Sequence, residues 1–264
     1  MTAGATAAHA APPPADIVRM AALGDSITRA TGTCSDPSGC LTNSWATGKS
    51  TTVNSHYLRL RAAGATSSLV ASNFAVNGAT SEALNAQAQS AIGQSAQYVT
   101  IEIGANDACT STVSAMTPSA TFKANVESAL ATLASAGPDS PEIFLASIPN
   151  LLRLYELNKG NPTARLIWGA LKICQSLLAN PTSTKTADVQ RREAVQQRVN
   201  EYNAALAEVC SMVTKCRFDD LAIAGYRFTR SDISTRDYFH PSVSGQANFA
   251  AITWAKTQWV TPST

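Results

Sequence analysis

Charge is scarce in this sequence: Asp, Glu, Lys and Arg make up 14% of its 264 residues, well below the ~25% of an average soluble domain. The 20 basic and 18 acidic side chains nearly cancel, to a formal charge of +2, which excludes nucleic acid or an anionic membrane as a partner held by bulk electrostatics. Solubility must therefore come from Ser, Thr, Asn and Gln, a surface common among exported proteins. No window approaches the ~18 consecutive apolar residues of a membrane-spanning helix; even the run 166–178 carries Lys172 and Gln175. There is no C-x-x-C pair, which argues against a zinc ribbon or thioredoxin-type site. P-loop and G-x-G-x-x-G fingerprints are missing too, so no nucleotide cofactor is implied. Histidine is limited to His9, His56 and His240, which leaves a multi-ligand metal centre short of donors.

Apolar residues, by contrast, reach 45%, ample for a buried core, so a globular chain is expected. At roughly 150 residues per domain the length admits one large or two small domains; we read a single domain over residues 17–260. Residues 1–16, MTAGATAAHAAPPPAD, are Ala- and Pro-rich without periodicity. They read as a flexible segment, either an arbitrary terminus or a leader remnant, because Ala8-His9-Ala10 has the small-x-small form of a signal-peptidase site. Six cysteines, at 34, 40, 109, 174, 210 and 216, fit disulfides in an oxidising compartment. Of roughly 15 connectivities, pairing the close neighbours Cys34/Cys40 and Cys210/Cys216 leaves Cys109 with Cys174. Six buried free thiols in a cytosolic protein are the alternative.

Short apolar runs that end in Gly, Asn or Pro predict buried strands: Ile17 to Leu23, Ser68 to Val76, Tyr98 to Ile103 and Glu142 to Ile148. Helical spacing lies between and after them. Phe122, Val126, Leu130 and Leu133 follow a Thr117-Pro118 start signal, and Val195 to Val209 and Val243 to Trp254 step by three and four. Asn54 to Ala63 reads as a surface helix carrying His56. Strands alternating with helices imply right-handed crossovers and a mainly parallel sheet covered on both faces, a three-layer α/β/α sandwich. Its working groups belong just past the carboxyl ends of the strands.

Three of those exits carry Gly24-Asp25-Ser26, Asn77-Gly78-Ala79 and Gly104-Ala105-Asn106-Asp107, and Asp237-Tyr238-Phe239-His240 precedes the last helix. A serine hydroxyl is a poor nucleophile until a base takes its proton. With His9 in the terminal segment and His56 on a surface helix, His240 is the candidate base. Asp237, three residues earlier, can fold back within one turn to accept the imidazole Nδ1–H; the bland alternative is an Asp and a His that merely cap the last helix. Ser26 N–H, Gly78 N–H and the Asn106 amide are candidate oxyanion donors, although taken singly Gly78 is an ordinary turn glycine and Asn106 an Asx turn. Asp25 and Asp107 read as residues that hold these loops.

Together the four blocks resemble the SGNH (GDSL-type) hydrolase family, notably secreted bacterial GDSL esterases and lipases, with Ser in G-D-S, a Gly, Asn in G-x-N-D and His in D-x-x-H, in order from Gly24 to His240. Ile27 stands where the family name has Leu. The resemblance implies a flavodoxin-like fold, a triad of Ser26, Asp237 and His240, an oxyanion hole of Ser26, Gly78 and Asn106, and neither metal nor cofactor. The G-x-S-x-G elbow of the rival α/β-hydrolase architecture does not occur.

The function expected is hydrolysis of lipid or other acyl esters (lipase, phospholipase or esterase) by a secreted monomer through a serine acyl-enzyme, with a small-molecule or lipid ester as substrate. A carbohydrate acetyl esterase is the alternative on the same fold; a metal-dependent phosphoesterase and a non-catalytic binding module are more distant. Residues 151–178 read as two short helices around Asn158-Lys159-Gly160-Asn161-Pro162, and Leu151, Leu154 and Trp168 there either line an acyl groove or pack on the sheet.

Overall fold

The computed structural model describes residues 9–260. Strands β1 (Arg19–Gly24), β2 (Val70–Asn73), β3 (Tyr98–Glu102), β4 (Glu142–Leu145) and β5 (Cys216–Phe218) form one parallel sheet in the order β2-β1-β3-β4-β5. Helices α1 (His56–Ala62), α2 (Leu84–Gly93), α3 (Ala105–Ala108), α4 (Ser119–Ala134) and α5 (Leu151–Asn158) alternate with the strands. The chain continues through α6 (Pro162–Ala170), α7 (Gln175–Leu178), α8 (Thr186–Ser211), α9 (Ala222–Gly225) and α10 (Val243–Trp254). The result is the α/β sandwich expected from the alternation, with α2, α4 and α8 packed in series and α1 packed on α10.

Burial follows position in the sheet. Every residue of β3 and β4, and all of β1 after Arg19, is buried, as central parallel strands covered on both faces require. At the edge, β2 leaves Val70 exposed. On α4 the predicted stripe Phe122, Val126, Leu130 and Leu133 is fully buried, and Phe122 stacks on Tyr202 of α8 with ring centroids 4.1 Å apart. Each such side chain contributes roughly 1.5–3 kcal/mol on leaving water.

Two features depart from the sequence reading. Strand β5 has no counterpart among the runs that predict strands: three half-buried residues including Arg217 are too few for a period to show. His56 is not on a surface. It is fully buried among the rings of Trp45, Phe144 and Trp254, because the helix it opens turns inward against α10. The cysteines pair as Cys34–Cys40, Cys109–Cys174 and Cys210–Cys216. Residues 9–16 lie against the domain: His9 Nε2 sits 2.7 Å from a Glu142 carboxylate oxygen and the Trp259 indole donates to Pro12 O at 2.8 Å. Residues 1–8, including the start of the small-x-small site, lie outside the described residues. Among those residues no helix is long and apolar enough to cross a membrane.

Candidate active site

The site is built at the carboxyl end of β1. Gly24, with φ of 139°, closes that strand so tightly that a Cβ would lie 2.0 Å from Glu102 O of β3, which leaves glycine as the residue that fits. Gln87 of α2 grips the same residue twice, accepting from Gly24 N at 2.6 Å and donating to Gly24 O at 3.0 Å. In the turn that follows, Asp25 Oδ1 accepts from Ile27 N at 2.8 Å. From α10, Gln246 donates to Ile27 O at 2.8 Å. Two long-range clamps, Gln87 and Gln246, and the local Asp25 bond thus fix the backbone on which Ser26 sits, 7% exposed.

The Asp237–His240 segment arrives from the other end of the chain. Tyr238 adopts a left-handed φ of 56°, a strained conformation for a bulky residue. Its carbonyl is held by the Trp168 indole N–H at 3.2 Å. Asp237 Oδ1 accepts from the backbone N–H groups of Phe239 and His240 at 2.9 and 3.0 Å. The other oxygen lies 2.7 Å from His240 Nδ1, while His240 Nε2 lies 2.8 Å from Ser26 Oγ. Gly32 leaves room for this pair, since a Cβ there would come within 3.2 Å of Asp237 Oδ2 and His240 Cβ. Burial pushes the Asp237 carboxyl up, but the hydrogen bond and charge of His240 and the two backbone donors outweigh it and hold the group below the ordinary range. An ionised Asp237 therefore faces Nδ1, which assigns the Nδ1–H tautomer and leaves Nε2 free to accept the Ser26 proton.

Asn106 donates from Nδ2 to Ala79 O at 2.9 Å and to Asp25 Oδ2 at 3.3 Å, which joins the exits of β1, β2 and β3. Gly78, next to Ala79, has φ of 76° and no atom within 4 Å of a notional Cβ, so backbone conformation rather than crowding calls for glycine. Asp107 accepts from Ser81 N at 2.8 Å and Ser81 Oγ at 2.7 Å, binding the loop after β2 to α3. Asp25 and Asp107 hold backbone, as read from the sequence.

Beside His240 lies an apolar pocket of about 30 Å³, lined chiefly by Ile27, Leu151, Leu154, Phe228, Ile233 and Phe239. Leu151 and Leu154 of α5 thus share a cavity with His240. Trp168 does not; it is buried in α6 and touches the site through Tyr238 O. The sequence reading missed Gln87, Gln246 and Trp168 as holders of the site, and no local signal marks them. Among the described residues no group of three or more His, Cys, Asp or Glu is placed to hold a metal ion.

A family model described as GDSL-like Lipase/Acylhydrolase matches residues 22–247, and no curated protein matches. Among solved structures, TesA is similar with a TM-score of 0.57 at 16% identity, over 92% of this chain and 99% of that one. The acetyl xylan esterase AlAXEase is similar with a TM-score of 0.57 at 13% identity, over 90% and 98%. Axe2, an acetyl-xylooligosaccharide esterase from Geobacillus stearothermophilus, gives 0.55 at 18%, over 93% and 97%. At these identities the likeness shows the fold alone.

Proposed function

Because the chain belongs to the GDSL-like lipase/acylhydrolase family, we propose that it hydrolyses carboxylic esters through a serine acyl-enzyme. The observation that carries this is the unbroken relay from Asp237 through His240 to Ser26, at 2.7 and 2.8 Å. Ser26 Oγ attacks the ester carbonyl as His240 Nε2 takes its proton; His240 then returns that proton to the leaving alcohol. Asp237 stabilises the imidazolium formed between these steps. Ser26 N–H, Gly78 N–H and Asn106 Nδ2–H hold the oxyanion, Asn106 exchanging its long bond to Asp25 for a bond to the developing charge. Water activated by His240 repeats the sequence and frees the acid. Three disulfides support an extracellular setting.

The acyl group is proposed to enter the pocket beside His240, whose apolar lining suits hydrocarbon and supports lipid or other acyl esters as substrates. Its volume of about 30 Å³ supports a second reading, a carbohydrate acetyl esterase, as two of the structural neighbours are named. A series of p-nitrophenyl esters of rising chain length, assayed beside phospholipid and acetylated xylan, separates the two. Rates rising with chain length, by up to ~0.8 kcal/mol per buried CH2, support the first; a maximum at acetate supports the second. Leu154→Ala, which enlarges the pocket, should shift the optimum toward longer chains, and an unchanged profile would remove the pocket from the account.

A further inference from the structure

Glu102 ends β3 beside Gly24 in the ladder and is fully buried. Among the described residues no N–H or O–H reaches either of its carboxylate oxygens; what faces them is the carboxyl group of Asp25. Two carboxylates in contact and out of water cannot both be ionised, and a single proton between them relieves both. Geometry says which one carries it. Asp25 already accepts from Ile27 N at 2.8 Å and from Asn106 Nδ2 at 3.3 Å, so Asp25 is the acceptor and Glu102 is left to donate.

We propose that Glu102 is a positioning residue that works as a neutral carboxylic acid, donating a hydrogen bond to Asp25 and thereby fixing the turn that carries Ser26 and the amide of Asn106. Loss of its proton would put a second negative charge behind the site where an oxyanion forms, and opposing charges there act directly on the transition state. Burial and then the Asp25 charge push the Glu102 carboxyl well above its ordinary range, in keeping with a proton retained at neutral pH. The other titratable groups that act on Asp25 are His240, before α10, and Asp107 of α3. His240 draws the pair toward ionisation and Asp107 opposes it. The sign follows: activity is held while Glu102 keeps its proton and falls as pH rises through its folded pKa.

The kinetic arm of this inference rests on the esterase reading; a spectroscopic arm stands apart from it. Glu102→Gln keeps an N–H donor toward Asp25 but cannot ionise, whereas Glu102→Leu keeps only bulk. With p-nitrophenyl acetate between about pH 6 and 10, Glu102→Gln should retain kcat to within about 3-fold and stay level where the wild type declines. Glu102→Leu should lose at least about 10-fold in kcat with KM little changed, since the fault lies in transition-state donors. At neutral pH the infrared spectrum of the wild type should contain a protonated carboxylic C=O stretch that is missing in Glu102→Gln. Should Glu102→Leu fail to fold, the comparison of wild type with Glu102→Gln still decides. Glu102→Gln with the wild-type alkaline decline, with a 100-fold loss in kcat (about the cost of an oxyanion donor), or with the carboxylic band intact would overturn the proposal. A wild type that turns over no ester, or turnover that survives Ser26→Ala, would instead refute the serine-esterase reading and leave the infrared result to judge Glu102 alone.

Discussion

Lowering the pH from about 8 to 5 should cost this fold about 2 kcal/mol through one side chain, His56. Its ring is fully buried, with Nδ1 2.7 Å from Tyr98 Oη and Nε2 2.8 Å from Thr253 Oγ1. Thr253 spends its own hydrogen on Phe249 O at 2.7 Å, so Nε2 must donate and Nδ1 must accept from Tyr98. A second proton, on Nδ1, would take away the acceptor that the Tyr98 hydroxyl hydrogen uses, and burial, aided slightly by the Arg59 charge, lowers the His56 pKa from 6.5 to about 3. The unfolded chain binds a proton below about pH 6.5 that the folded one refuses, so this contribution is complete above that pH and is lost as pH falls toward 3. The full shift corresponds to roughly 5 kcal/mol at ~1.4 kcal/mol per unit, of which about 2 is spent by pH 5. Urea unfolding of the wild type and of His56→Gln, whose amide can serve both partners, isolates this term from other titrations. Equal losses in the two proteins between pH 8 and 5 would refute the assignment.

Asn106→Ala should lower kcat by roughly 10² to 10³ with KM nearly constant; an effect confined to KM in steady-state assays would contradict its role. Trp168→Phe removes the donor to Tyr238 O, so kcat should fall about 3- to 10-fold, a typical hydrogen-bond loss, for every acyl length, with the chain-length profile unaltered. If only long chains suffer, Trp168 contacts the acyl group after all. The Cys109–Cys174 bridge spans 65 residues, against 6 for each of the other two. Chain entropy then assigns it about 4 kcal/mol and each of them about 2. The double Cys→Ser variant of that bridge should show the largest loss in denaturant unfolding.

Much of the candidate site is legible in the sequence because its blocks sit where the fold exposes backbone. Ser26, Gly78 and Asn106 each follow an apolar run, and parallel strands bring such exits to one edge without further information. Asp237 and His240 are three residues apart, so their contact is local. What could not be read is what depends on partners far off in the chain. Gln87 meets Gly24 across 63 positions and Gln246 meets Ile27 across 219, and each looks like an ordinary polar helix residue. Glu102 lies in a run that reads as a buried strand, and so it is, but nothing in that run shows that the group acting on its carboxyl is Asp25, at the exit of another strand. The burial of His56 is illegible for the same reason: α1 alone does not reveal that Tyr98, Phe144 and Trp254 close over its first residue.

Reaction of the intact protein with a fluorophosphonate, followed by peptide mass spectrometry and ester assay, tests the central claim most directly. The relay through Asp237 and His240 predicts one adduct, on Ser26, in proportion to activity lost, with no adduct in Ser26→Ala and a much slower reaction in His240→Ala. An adduct on another residue, or full ester turnover by Ser26→Ala, would contradict it.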